Sequence, residues 1–179
     1  MSKITAIICF LYCCFSFSQE KLVTKTGIIS FESADTSFED VKAINKGVTF
    51  VLNTKTGEIA SLALMKEFQF KIALMEEHFN ESYAESTTYP KAIFRGKIVD
   101  FDLKKLTAIA KEYTITGNLE IHGKVVPITS VLKIKKTLNG IEISSNFNVA
   151  TSDFNIKSPK MSKNSNASKV NIATSFVLK

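Results

Sequence analysis

The sequence predicts an all-β domain: an eight-stranded antiparallel β-barrel with a helical excursion between two strands. Three observations point there. Apolar and polar residues alternate along most of the chain from Leu22 onward, which is the period of a strand with one wet face. Short turns join most of the alternating runs, so neighbouring strands pair antiparallel. Eight such runs are enough to close into a barrel, and closure leaves no open edge.

The elements follow in order. Met1-Ser2-Lys3 is a short cationic start, and Ile4 to Phe17 is apolar apart from Thr5, Tyr12 and Ser16. Ser16 and Ser18 then place small residues before a cut ahead of Gln19. This is the layout of a cleavable signal peptide over residues 1–18, leaving a mature domain of residues 19–179. The apolar run is too short for a comfortable membrane span of about 20 residues, which favours a cleaved leader over an uncleaved N-terminal anchor, and no transmembrane segment is expected in the mature chain. The protein is expected to be periplasmic or secreted.

Leu22 to Ser33 is the first strand. Val48 to Leu52 and Glu58 to Leu64 form a hairpin around the turn Thr54-Lys55-Thr56-Gly57. Ala92 to Phe101 is the fourth strand. In the fifth, Tyr113, Ile115, Gly117, Leu119 and Ile121 share a face. His122-Gly123-Lys124 turns the chain into Val125 to Lys136, and Leu138-Asn139-Gly140 turns it again. Ile141, Ile143, Ser145, Phe147 and Val149 share the next face, and Val170, Ile172, Thr174, Phe176 and Leu178 the last. Two stretches break the alternation. Phe38 to Lys46 is charged, with weak helical spacing. Met65 to Tyr89 is a long hydrophobic crossover in which Ile72 to Phe79 has helical spacing; such a connection carries function or caps a barrel end. Lys157 to Ser168 is polar and is expected to be a loop.

Composition excludes several function classes. The cysteines, Cys9, Cys13 and Cys14, all lie in the leader, so the mature domain has no disulfide, thiolate metal site or cysteine nucleophile. A domain of about 160 residues is held by its core alone. Loss of Lys3 with the leader lowers the net charge only from +6 to +5. The lysines at 157, 160, 163 and 169 lack interleaved aromatics and an arginine cluster, so no nucleic-acid partner is expected. His78 and His122 are the sole histidines, which rules out a multi-histidine metal site. There is no phosphate-binding glycine loop and no nucleophile elbow. Glu76, Glu77 and Glu81 read as an exposed helix face. Catalytic residues, metal and cofactor are each expected to be none, and the protein is not expected to be an enzyme.

Several segments carry a resemblance. Lys71-Ile72-Ala73-Leu74-Met75-Glu76-Glu77-His78-Phe79-Asn80-Glu81-Ser82-Tyr83, followed by Tyr89-Pro90-Lys91-Ala92-Ile93-Phe94, is similar to the central signature of the YceI-like proteins. Gly117-Asn118-Leu119-Glu120-Ile121-His122-Gly123 with Pro127, Thr26-Gly27-Ile28-Ile29-Ser30-Phe31, and Asp153-Phe154-Asn155-Ile156 fit in the right order. The resemblance implies a lipocalin-like barrel, export, a polyisoprenoid or other long-chain amphiphile bound inside, and in some members a homodimer. The chain departs from the family at Val125 and Val126, where a threonine and a basic residue usually stand.

A small barrel either fills its lumen with side chains or keeps room for one ligand. The chain has 14 Phe and no Trp, and a phenylalanine-rich wall suits an alkyl or prenyl chain. The expected function is therefore to hold a long apolar or amphiphilic ligand, such as an isoprenoid, quinone or fatty amide. The alternative is a non-catalytic structural or interaction protein of the cell envelope with a filled barrel. The wall and cap candidates are Phe50, Phe68, Phe70, Leu74, Met75, Phe79, Phe94 and Phe147, each of which plain core packing would explain as well. His122 is either a polar group at the rim that meets a ligand or a turn residue that fixes the hairpin. His78 is the second polar candidate, and it too has a plainer reading as a partner of a neighbouring strand. Which strand faces point inward depends on register and is left open.

Overall fold

The structure, a computed structural model, describes residues 20–33, 41–156 and 169–179. The expected leader and the polar stretch 157–168 lie outside the described residues, as do residues 34–40. Alternation sets the strands: β1 (Lys21–Ser33), β2 (Lys42–Asn53), β3 (Glu58–Leu64), β4 (Gln69–Phe70), β5 (Lys91–Ile98), β6 (Lys111–Ile121), β7 (Lys124–Thr137), β8 (Gly140–Ala150) and β9 (Lys169–Leu178). They form a sheet in the order β1-β9-β8-β7-β6-β5-β3-β2, and β1 pairs with β2 to close it. Every pairing is antiparallel. The long strands are the eight expected; β4 is an addition of two residues, paired with β2 through Ala43–Phe70 and Ile44–Gln69. Among the described residues no helix is long and apolar enough to cross a membrane.

Three boundaries differ from expectation. The second strand begins at Lys42 rather than Val48, so residues 42–46, weakly helical by spacing, are extended. Ala43 and Asn45 turn inward at 2% and 0% exposure, and pairing with β1 and β4 overrides the local charge-rich composition. Asn45 is satisfied there: its Nδ2 donates to Leu64 O at 3.0 Å, and its Oδ1 accepts from Gly47 N at 2.8 Å. The fourth long strand ends at Ile98 rather than Phe101, because Asp100 turns through a positive φ of 52°. The helical part of the crossover is α1 (Ala73–His78), extended by a single π turn over Phe79–Tyr83.

The two barrel ends are unlike. At one, Leu52, Ile98, Ile134 and Leu178 are at most 1% exposed and pack with Leu106 into a solid floor. The other carries α1, the turn between β6 and β7, and a 3-10 turn over Thr151–Phe154. There the wall is not fully laddered. β7 and β8 pair only between Leu132–Ser145 and Thr137–Gly140. Beyond that point β8 stays with β9 as far as Ala150–Lys169. Ser145 Oγ donates to Val131 O at 2.6 Å where the ladder ends, and Phe154, 1% exposed, is buried in the turn that follows β8. Pro127 pairs with Asn118 of β6 but lies on the stretch of β7 that has no partner in β8, an edge where proline is tolerated.

Gly96 and Gly117 face each other across β5 and β6, and the Phe94 ring lies over both. A Cβ at either would come within 2.7 Å of Phe94 Cζ. At Gly117 it would also stand 2.6 Å from Gly96 Cα, which is backbone and has little room to yield. Gly117→Ala is therefore expected to destabilise the fold by about 1–3 kcal/mol through overpacking. Denaturant midpoints check this; an unchanged midpoint would mean that the ring and strand shift freely.

Candidate binding cavity

The faces that alternation groups together are the inward ones. Ile115, Leu119 and Ile121 of β6, Ile143, Ser145, Phe147 and Val149 of β8, and Val170, Ile172, Thr174 and Phe176 of β9 line one cavity of about 450 Å³. It lies between the solid floor and the end covered by α1. Phe50 and Phe176 stack at its lower side, with centroids 4.2 Å apart and planes inclined by 18°.

The crossover builds its other side. Phe68 follows a short 3-10 turn, Phe70 lies on β4, and Phe79 begins the π turn. All three meet Phe31 of β1, at ring-centroid distances of 5.2, 5.8 and 5.4 Å. Phe79 also touches Phe68 at 6.1 Å and Phe70 at 5.1 Å, closing a four-ring collar. Tilted and edge contacts of this kind add about 0.5–1.5 kcal/mol per pair beyond the area buried. Glu76 anchors the collar. Its Oε2 accepts the Phe70 N–H at 3.0 Å, and Asn80 Nδ2 donates to its carbonyl at 3.0 Å. The carboxylate thus ties α1 to β4, while Glu77 and Glu81 are exposed as expected.

Of the candidates, Phe50, Phe68, Phe70, Met75, His78, Phe79, Phe94 and Phe147 line the cavity. Leu74 and His122 do not. On α1 and the π turn that extends it the cavity-facing residues are Met75, His78 and Phe79, at helical spacing; Leu74 precedes Met75 by about 100° of rotation and is 56% exposed. His122 sits in the turn itself, at φ 51° beside Gly123 at φ 69°, so it leaves the inward row that ends at Ile121. Its ring packs on Tyr89 at 4.3 Å. Its Nε2 is buried with no hydrogen-bond partner and stands 3.7 Å from Glu85 Oε1. The imidazole braces the turn against the segment that follows α1.

Several wall residues were not singled out from the sequence: Phe31, Phe154, Ile172 and Phe176. Phe31, Ile172 and Phe176 were visible in alternating runs. Phe154 lies in an irregular turn and gives no periodic signal. The lining is apolar apart from a few hydroxyls, Tyr83 and His78, and among the described residues it contains no Asp, Glu, Lys or Arg. Among the described residues no group of three or more His, Cys, Asp or Glu could hold a metal ion.

The profile of the YceI-like domain matches residues 14–178. No curated protein matches the chain. Among solved structures, a polyisoprenoid-binding domain from Saccharophagus degradans, implicated in plant cell wall breakdown, superposes with a TM-score of 0.72 at 12% identity, covering 89% of this chain and 99% of that one. BcnA of Burkholderia cenocepacia gives 0.68 at 16% identity, covering 83% and 94%. The YCEI protein of Campylobacter jejuni gives 0.54 at 15%, covering 83% and 81%. At these identities the likeness is one of fold.

Proposed function

The chain belongs to the YceI-like family, and we propose that it is an exported binding protein that holds a long apolar or amphiphilic ligand in its barrel, of the isoprenoid, quinone or fatty amide kind. The observation that carries this reading is the unfilled lumen of about 450 Å³, walled by phenylalanine and aliphatic side chains. A barrel that served only as a scaffold would fill this space, since voids forfeit dispersion contacts. An apolar chain placed there would contribute about 25 cal/mol per Å² of surface removed from water. The polyisoprenoid-binding domain with the same fold supports the ligand class. The signal-peptide layout of residues 1–18 supports a periplasmic or secreted location. The role is binding rather than catalysis: the lining brings hydroxyls and one imidazole, but no charged side chain among the described residues, to the space a substrate would occupy.

Mass spectrometry of an organic extract of the protein, purified from its native envelope, tests the reading. A prenyl or long-chain species at one per barrel is the expected result. A clean extract, with no uptake of added isoprenoid, would replace the carrier with a structural or interaction protein. The solution mass of the same preparation tests whether it pairs as a homodimer.

A further inference from the structure

The barrel wall has a seam. β7 and β8 are laddered only from Thr137–Gly140 to Leu132–Ser145. From there to the α1 end, β7 stays with β6 as far as Ile121–Lys124, and β8 stays with β9 as far as Ala150–Lys169. The two strands part where a side chain, Ser145 Oγ, donates to Val131 O at 2.6 Å. The cavity lies directly behind the gap: Ile128 and Ser130 of β7 and Phe147 and Val149 of β8 all line it. The 3-10 turn that follows β8, Thr151–Phe154, packs against both strands and puts Phe154, which is buried, on the lining.

β1 and β9 also part, below Ile28–Ser175, but there Phe176 and Leu178 of the solid half stand behind the gap. The α1 end is shut more firmly than the seam. Four rings interlock there, and the Glu76 carboxylate ties α1 to β4. A stretch of wall without a ladder opens at lower free energy, because no hydrogen bond between its strands has to break. At the seam, opening displaces one ring and a four-residue turn.

We propose that the ligand enters and leaves the barrel sideways, through the seam between β7 and β8, and that Phe154 is the plug that closes it. The inference rests on the carrier reading above and adds the route to it.

Retinol, an isoprenoid alcohol whose emission rises in an apolar site, serves as the probe, with uptake and release followed by stopped flow. Phe154→Ala should raise the uptake rate at least about fivefold, whereas loss of a mere wall contact would speed release alone. A second variant closes the seam instead. Thr129→Cys and Asn148→Cys, exposed positions that face each other if the ladder's register is continued, are bridged with a bis-methanethiosulfonate. Residues 19–179 hold no cysteine to compete. The bridge should slow uptake and release together, each at least about tenfold, and dithiothreitol should restore both. Rates that the bridge leaves unchanged overturn the proposal, move the entrance to the α1 end and leave the carrier standing. An uptake rate that Phe154→Ala does not raise overturns the role of the plug. If the unaltered barrel takes up neither retinol nor added polyprenol, the carrier reading fails and the seam fails with it.

Discussion

Replacing Ile172 with tryptophan is expected to reduce ligand affinity at least a hundredfold, about 2.7 kcal/mol, without lowering the melting temperature. Ile172 lies on β9, opposite Phe31 of β1 on one side and Phe147 of β8 on the other. All three residues line the cavity, and Ile172 is only partly buried because open space borders it. The larger ring would grow into that space rather than into packed atoms, so the usual overpacking cost of about 1–3 kcal/mol does not arise. It would take the room a ligand chain needs and gain dispersion contacts with the phenylalanines around it. The chain has no natural tryptophan, so emission from the introduced indole also reports the polarity of the lumen. A titration with an isoprenoid probe and a thermal melt together decide the matter. Undiminished affinity would place the ligand outside the lumen; a large fall in melting temperature would mean that the lumen is smaller than its walls indicate.

Leu52→Ala is expected to act in the opposite way, on stability first. Leu52 is fully buried in the floor with Ile98, Ile134 and Leu178. Such truncations cost about 2–5 kcal/mol. For a domain of this size that lowers the melting temperature by roughly 10 °C. The same truncation at a cavity wall, Ile172→Ala, should cost clearly less, because part of that side chain already faces open space. Equal costs at the two positions would mean that floor and wall are packed alike, and would remove the division into a solid half and an open half.

The crossover illustrates how far the residues alone could be read. Helical spacing from Ile72 to Phe79 foretold α1, and the apolar content of Phe68, Phe70 and Phe79 foretold that the segment covers the barrel rather than wandering in solvent. Yet Leu74 and Met75 are adjacent and chemically alike, and only the docking of the helix put Met75 on the cavity and left Leu74 in water. Phe31 was one apolar residue among several in β1 until three rings from the crossover came to rest on it. Glu76 was grouped with its exposed neighbours; the Phe70 N–H it accepts belongs to a two-residue strand too short to leave a periodic trace.

Local alternation and turn chemistry were enough for the eight long strands, their antiparallel order and the grouping of residues on faces such as Ile141, Ile143, Ser145, Phe147 and Val149. These are short-range properties: side chains alternate every residue, and a short turn forces its flanking strands together. Three things came only with the closed barrel: the inward choice of face, the lumen left unfilled above a solid floor, and the early end of the β7–β8 ladder at Leu132–Ser145. Each depends on register and volume around the whole circumference, where a shift of one residue on one strand moves every side chain on it to the other face, and no segment carries that sum by itself.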